Sequence, residues 1–148
     1  MNSNWKKWNQ KNSTQNLNQP GIYYLAYSEN DISDTPFDMI KEIIYIGMTI
    51  SKNGVKGRLG QFVSAMKGKK GIHGGGDRVK FKHNDEKSFF DKLYVSVCSF
   101  QLSNSGETSN DWRIKAECVK HEYVSFADYI DKQGQLPEFN DQKRSKKK

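Results

Sequence analysis

The chain has 148 residues, 34% of them hydrophobic and 12% aromatic, with a formal net charge of +7. That length holds one domain of ordinary size rather than two, and the aromatic content excludes a wholly disordered chain. No apolar run is long enough to span a membrane and no apolar secretion core opens the sequence, so a soluble cytoplasmic protein without a membrane partner is expected.

Residues 1–19 contain six Asn and three Gln around a W-K-K-W cluster and read as a polar, mobile arm, its Trp5 and Trp8 docking on core, partner chain or nucleic acid. Pro20 and Gly21 then open a first strand, in which Ile22, Tyr24 and Ala26 alternate with Tyr23, Leu25 and Tyr27. An acidic loop over 28–42, interrupted by Pro36, leads to a second strand over 43–49, and the two pair antiparallel as a long-looped hairpin. Val55, Leu59, Phe62, Val63 and Met66 recur at helical spacing and predict a helix over 55–66 with Lys56 and Arg58 in its first turns. The glycine-dense stretch 68–76 reads as a loop, and 92–100 as a third strand. Trp112, Ala116, Val119, Tyr123, Phe126 and Ile130 predict a long amphipathic helix over 111–132, capped by Asn110 or Asp111 and stopped by Gly134, with Trp112 in the core. The folded domain is therefore 20–140, followed by a basic tail over 141–148.

Charge is concentrated. Residues 52–82 hold nine basic side chains against Asp77 alone, which points to a polyanionic partner, since each Lys or Arg set on a phosphate releases counterions. Cys98 and Cys118 have no second C-x-x-C and no His at ligand spacing, so they read as buried thiols. His83 and His121 fit exposed positions in charged runs.

Two strand tyrosines, Tyr23 and Tyr45, a helical Arg58 and a helical Glu117 make a set suited to phosphodiester hydrolysis. The reaction needs a base for the attacking water, a cation on the phosphoryl oxygens and an oxygen ligand for a divalent metal. Each residue taken singly has a plainer reading: a strand tyrosine usually packs, and Arg58 with Glu117 could be an ordinary ion pair.

The segments "GIYYL", "IYIGMT", "GRLGQF", "AEC" and "LPEFN", arriving in that order over residues 20–140, resemble the five motifs of the GIY-YIG nuclease family. The resemblance implies an α+β fold, a small three-stranded antiparallel sheet flanked by helices, that cuts DNA with one divalent ion, Mg²⁺ or Mn²⁺, and leaves a 5′-phosphate. It implies that Tyr23 activates or positions water with Tyr45 as its partner, that Arg58 stabilises the phosphate, that Glu117 holds the metal, and that Asn140 closes the site as a structural or active-site residue. Phe62 stands where many relatives carry His or Tyr, and His73 is assigned the assisting role. Met48 stands where a Lys is frequent, and Lys56 is the substitute. Lys56, Lys67, Lys69, Lys70, Arg78 and Lys80 are the expected DNA contacts. With no separate DNA-reading module in the sequence, a type II restriction-type endonuclease follows, acting as a homodimer or by two successive nicks, with no small-molecule cofactor. A structure-specific repair or recombination nickase, and a non-cleaving DNA-binding module on the same frame, are the alternatives.

Overall fold

Four strands, β1 (Lys6–Lys7), β2 (Gly21–Tyr27), β3 (Ile43–Thr49) and β4 (Leu93–Ser99), make one antiparallel sheet in a computed structural model that describes residues 1–147. Their spatial order is β1-β4-β2-β3, so β2 is flanked on both sides and β3 is an edge. Three α-helices, α1 (Gly54–Met66), α2 (Gly74–Lys82) and α3 (Glu86–Asp91), lie between β3 and β4 in the chain, and α4 (Ser109–Gln133) follows β4. The result is an α+β fold.

The strand alternation sorts the core into two layers. Tyr23 and Leu25 of β2 point to the face that also buries Phe62, Leu59 and Val79 from α1 and α2, while Ile22, Tyr24 and Ala26 point to the opposite face with Cys118 and Tyr129 of α4. A central strand covered on both sides has no polar face to show, and β2 reads apolar or aromatic at every position after its glycine.

The sheet has four strands rather than the expected three because the N-terminal segment is part of it. Lys6 and Lys7 pair with Val95 and Tyr94, which anchors the two tryptophans. Trp5 is buried and stacks on Phe37 at 5.6 Å, and Trp8 packs against Phe90 at 5.2 Å and Phe62 at 5.8 Å. Each tryptophan brings a large apolar area, enough to order an arm whose remaining composition suggests mobility. The tail also folds back through residue 145: the Arg144 guanidinium donates to Asp141 and to the Leu136 carbonyl, and Ser145 is buried. The last residue of the expected basic tail, Lys148, lies outside the described residues.

The expected loop over 68–76 ends early, since α2 begins at Gly74. Three glycines are poor helix formers, but the His73 side chain caps the helix by accepting from the Gly76 N–H. In α3, Asp85 does the same for Ser88 N–H. His83 and His121 are half-buried rather than exposed, His83 against Tyr27 and Phe89 and His121 edge-on to Phe100.

The long helix is present, but turned about its axis by roughly one residue, or about 100°. Its buried positions are Asp111, Cys118, Ser125 and Tyr129, whereas Trp112, expected in the core, is 56% exposed. The opposing layer already carries Tyr24, Ile46 and Tyr94 from the sheet and Phe37 from the loop before β3, so small residues on the helix are what let it approach. The contact is sealed by polar ends: the Tyr24 and Ser125 hydroxyls are 2.7 Å apart, and the Tyr129 hydroxyl donates to the Ile43 carbonyl at 3.2 Å. The helix starts at Thr108, which forms a reciprocal capping box with Asp111, and ends on Gly134 in the left-handed region, φ 80°. Both thiols are buried, and burial pushes Cys118 up to about 12.

If the arm belongs to the core, Trp5→Ala lowers the unfolding free energy by about 3–5 kcal/mol, as other large-to-small core changes do. Urea titration followed by far-UV circular dichroism measures it, and a change within error of zero would return the arm to the solvent.

Candidate active site

Tyr23 and Tyr45 lie on the α1/α2 face of neighbouring strands, with ring centroids 6.1 Å apart. Two glycines make room for them. A side-chain carbon on Gly47 of β3 would meet the Tyr23 hydroxyl at 2.4 Å, and one on Gly75 of α2 would meet the Tyr45 ring at the same distance. The glycines thus let β3 and α2 close down on the two phenols.

His73 completes the arrangement from the start of α2. Its Nδ1 accepts from Gly76 N–H at 2.9 Å and its Nε2 lies 2.7 Å from the Tyr23 hydroxyl oxygen. A neutral imidazole carries one ring proton. With Nδ1 occupied as an acceptor, that proton sits on Nε2 and is donated to Tyr23, which leaves the phenolic proton of Tyr23 free for Tyr45. The Phe62 edge packs on the imidazole at 5.4 Å, so the histidine occupies, from α2, the space beside the position where a proton carrier is missing on α1.

Arg58 is half-exposed and held from below, its guanidinium donating to the Gln61 side chain at 2.6 Å and to the Ile72 carbonyl at 2.9 Å. It acts on both phenols. Burial raises Tyr23 well above the ordinary phenol range and the neighbouring Tyr45 adds to this, while Arg58 pulls it back down. Tyr45 is raised by burial and lowered by Arg58, by Arg78 and by the Tyr23 hydroxyl. Lys56 is exposed on α1, and the guanidinium charges that lower the phenols are Arg58 on both and Arg78 on Tyr45. Burial, with the positive charges of Arg58 and Arg78, holds His73 down to about 3.

The carboxylate whose charge acts on this cluster is Glu122. Glu122 is half-buried on α4, raised by burial and lowered by Arg58, and its charge acts on both Tyr23 and Tyr45. α4 covers the opposite sheet face, so Glu122 acts on the phenols through its charge. Glu117 is exposed and lines an open groove with Phe100, Asn110, Arg113 and Ile114. Five residues of α-helix turn a side chain by about 140° from its starting direction, so the two glutamates cannot serve one site. Sequence reading missed Glu122 because it followed the large apolar residues; the small-residue stripe through Cys118 and Ser125 contains it.

Asn140 has a structural task. Its side-chain amide donates to the Ile46 carbonyl and its oxygen accepts from Ile46 N–H, both at 2.8 Å, so it pairs with the outer edge of β3 as a further strand would. With both polar groups engaged, it fixes β3 beside Tyr45 and does not face the phenols. Arg78 donates to the Phe139 carbonyl, which ties α2 to the same turn.

Lys56, Lys67, Lys69 and Lys70 are exposed and Lys80 half-exposed, none of them in an ion pair among the described residues. They extend from α1 through the 67–73 loop to α2, alongside the cluster. No group of three or more His, Cys, Asp or Glu stands together among the described residues, so the donor set for a caged zinc-type ion is lacking. A half-buried carboxylate without a hydrogen-bond partner among the described residues fits a hard divalent ion instead, because Mg²⁺ keeps several waters and takes one or two carboxylates. No family model, curated protein or solved structure matches the chain.

The imidazole supplies a pH test. Its pKa is lower in the folded chain than in the unfolded one, so the unfolded state binds the extra proton; the stability it supports is complete above about pH 6.5 and is lost, by about 1.4 kcal/mol per pH unit, as pH falls toward 3. His73→Asn keeps a capping oxygen and removes this titration. Urea midpoints for wild type and variant from pH 7 to pH 4 are expected to converge on acidification; parallel curves would contradict a neutral buried histidine.

Proposed function

We propose that this protein is a metal-dependent endonuclease that hydrolyses phosphodiester bonds in DNA, with a GIY-YIG-like site, as a compact restriction-type enzyme. The reading is carried by one observation: two phenols, an imidazole and a guanidinium from four separate segments converge, with the charge of a half-buried carboxylate on a fifth acting on them, beside basic side chains that form no ion pair among the described residues. The basic side chains of α1, the following loop and α2 grip the phosphate backbone, and that grip carries no sequence information by itself.

In the reaction, water attacks phosphorus, the bond to the 3′ oxygen breaks, and a 5′-phosphate and a 3′-hydroxyl leave. Tyr45 is the half-exposed phenol and takes the proton of the attacking water when ionised. Tyr23 is wholly buried and acts through Tyr45, its hydroxyl oriented by the proton it receives from His73. It is a positioning residue. Arg58 carries a fixed charge to the phosphoryl oxygens, where negative charge develops. Glu122 would hold a Mg²⁺ or Mn²⁺ ion, and that ion would supply charge neutralisation at the phosphate and leaving oxygen. Phe62 and Met48 favour a second reading, a DNA-binding module without cleavage, since neither side chain transfers protons; His73 and Arg58 stand where that chemistry is needed.

With supercoiled plasmid and Mg²⁺, Glu122→Gln is expected to abolish nicking, while Glu117→Gln cuts as wild type does. Arg58→Ala lowers the rate by about 10²–10³-fold, the range for a lost transition-state donor. Equal loss in both glutamate variants would remove Glu122 as the distinguishing carboxylate, and an inactive wild type that still shifts DNA in gels would favour the binding module.

Because burial holds Tyr45 above the ordinary phenol value, its ionised fraction is small at neutral pH and grows with alkalinity. The single-turnover rate therefore rises about tenfold per pH unit between about pH 7 and 9. Tyr23→Phe removes a hydroxyl that lowers Tyr45, and shifts that rise to higher pH; a flat profile in wild type would exclude a phenol base.

A further inference from the structure

We propose that the outward apolar stripe of α4 seats a second copy of this chain, helix against helix and antiparallel. The stripe is the periodicity that the sheet does not use: Trp112, Ala116, Tyr123 and Ile130 are exposed, Tyr123 to 67%, with half-buried Val119 and Phe126 between them. Aromatic residues of this size in a row on one helix face mark an interaction surface. The pattern is symmetric about position 121. Trp112 and Ile130, Ala116 and Phe126, Val119 and Tyr123 are each equally spaced on either side of it. A two-fold contact requires such self-complementarity, since every residue meets the mirror position of its own sequence. An antiparallel pair centred there sets Trp112 on Ile130, Ala116 on Phe126 and Val119 on Tyr123 of the second copy.

Charge agrees with this direction. Arg113 near the start of the helix and Asp131 near its end flank the stripe on the same side, and neither is in an ion pair among the described residues. The antiparallel pair centred at 121 sets Arg113 of each copy opposite position 129 of the other, two residues from Asp131 and within reach of the long arginine side chain, whereas a parallel pair would set Arg113 level with Arg113 and Asp131 level with Asp131. The two-fold axis leaves flanking positions of both helices on one side of the pair, so Glu122 of both copies opens toward the same side.

Sedimentation equilibrium of the full chain, with no DNA and no metal, tests this independently of cleavage. Wild type is expected to associate to twice the chain mass, and Tyr123→Glu to sediment as a single chain with an unchanged circular dichroism spectrum. Arg113→Asp and Asp131→Arg each weaken association, and the double variant restores it, because the exchanged pair again has opposite signs. A wild type that is monomeric at every concentration overturns the proposal, as does a double variant no better than the singles or a Tyr123→Glu variant that remains paired.

Discussion

The site depends on how one imidazole spends its two nitrogens. His73 cannot cap α2 with Nδ1 and also receive a proton from Tyr23, so the cap dictates which way the hydrogen bonds run. Secondary structure and chemistry are coupled through a single ring: the helix start sets the tautomer, the tautomer sets the phenol, and the phenol bears on its neighbour. Burial reinforces the arrangement, because a ring that cannot charge has no second proton with which to reverse the direction.

The same coupling explains the glycines on either side. Gly47 and Gly75 are gaps through which strand and helix approach the aromatic rings, and the packing is tight enough that a methyl group at either position would collide with a tyrosine. The cluster is therefore held from three directions: by α1 through Arg58, by α2 through His73 and by the edge of β3, which Asn140 fastens. Groups fixed in this way reorganise little when charge develops between them, which is the condition for electrostatic stabilisation to be effective.

Much of this was legible in the sequence, and the failures are instructive. The β2–β3 hairpin, α1 and β4 follow from alternation and helical spacing alone, because each buries one consistent set of apolar residues. The arm is ordered rather than mobile, because two tryptophans that dock on the core outweigh its many Asn and Gln and decide where the segment goes. The start of α2 was hidden behind three glycines, and a histidine is an uncommon cap. The orientation of α4 was lost for a different reason: periodicity reports that a helix has an apolar face, not what covers it. When a sheet face supplies the bulk, the helix side that meets it carries Cys, Ser and a tyrosine hydroxyl, and the carboxylate of interest travels with that side. The resemblance brought Tyr23, Tyr45, Arg58 and His73 within reach of one another, and its Glu position fell on the wrong side of the helix.

The fastening of β3 by Asn140 reaches beyond the site. A bare outer strand offers its backbone to any chain that can add to it, and fibrous stacking begins at such margins. Here one margin has its Ile46 amide and carbonyl satisfied by a side chain, and the other ends in a two-residue strand of lysines. Growth of the sheet by strand addition is discouraged at both ends, although its central strand is apolar throughout.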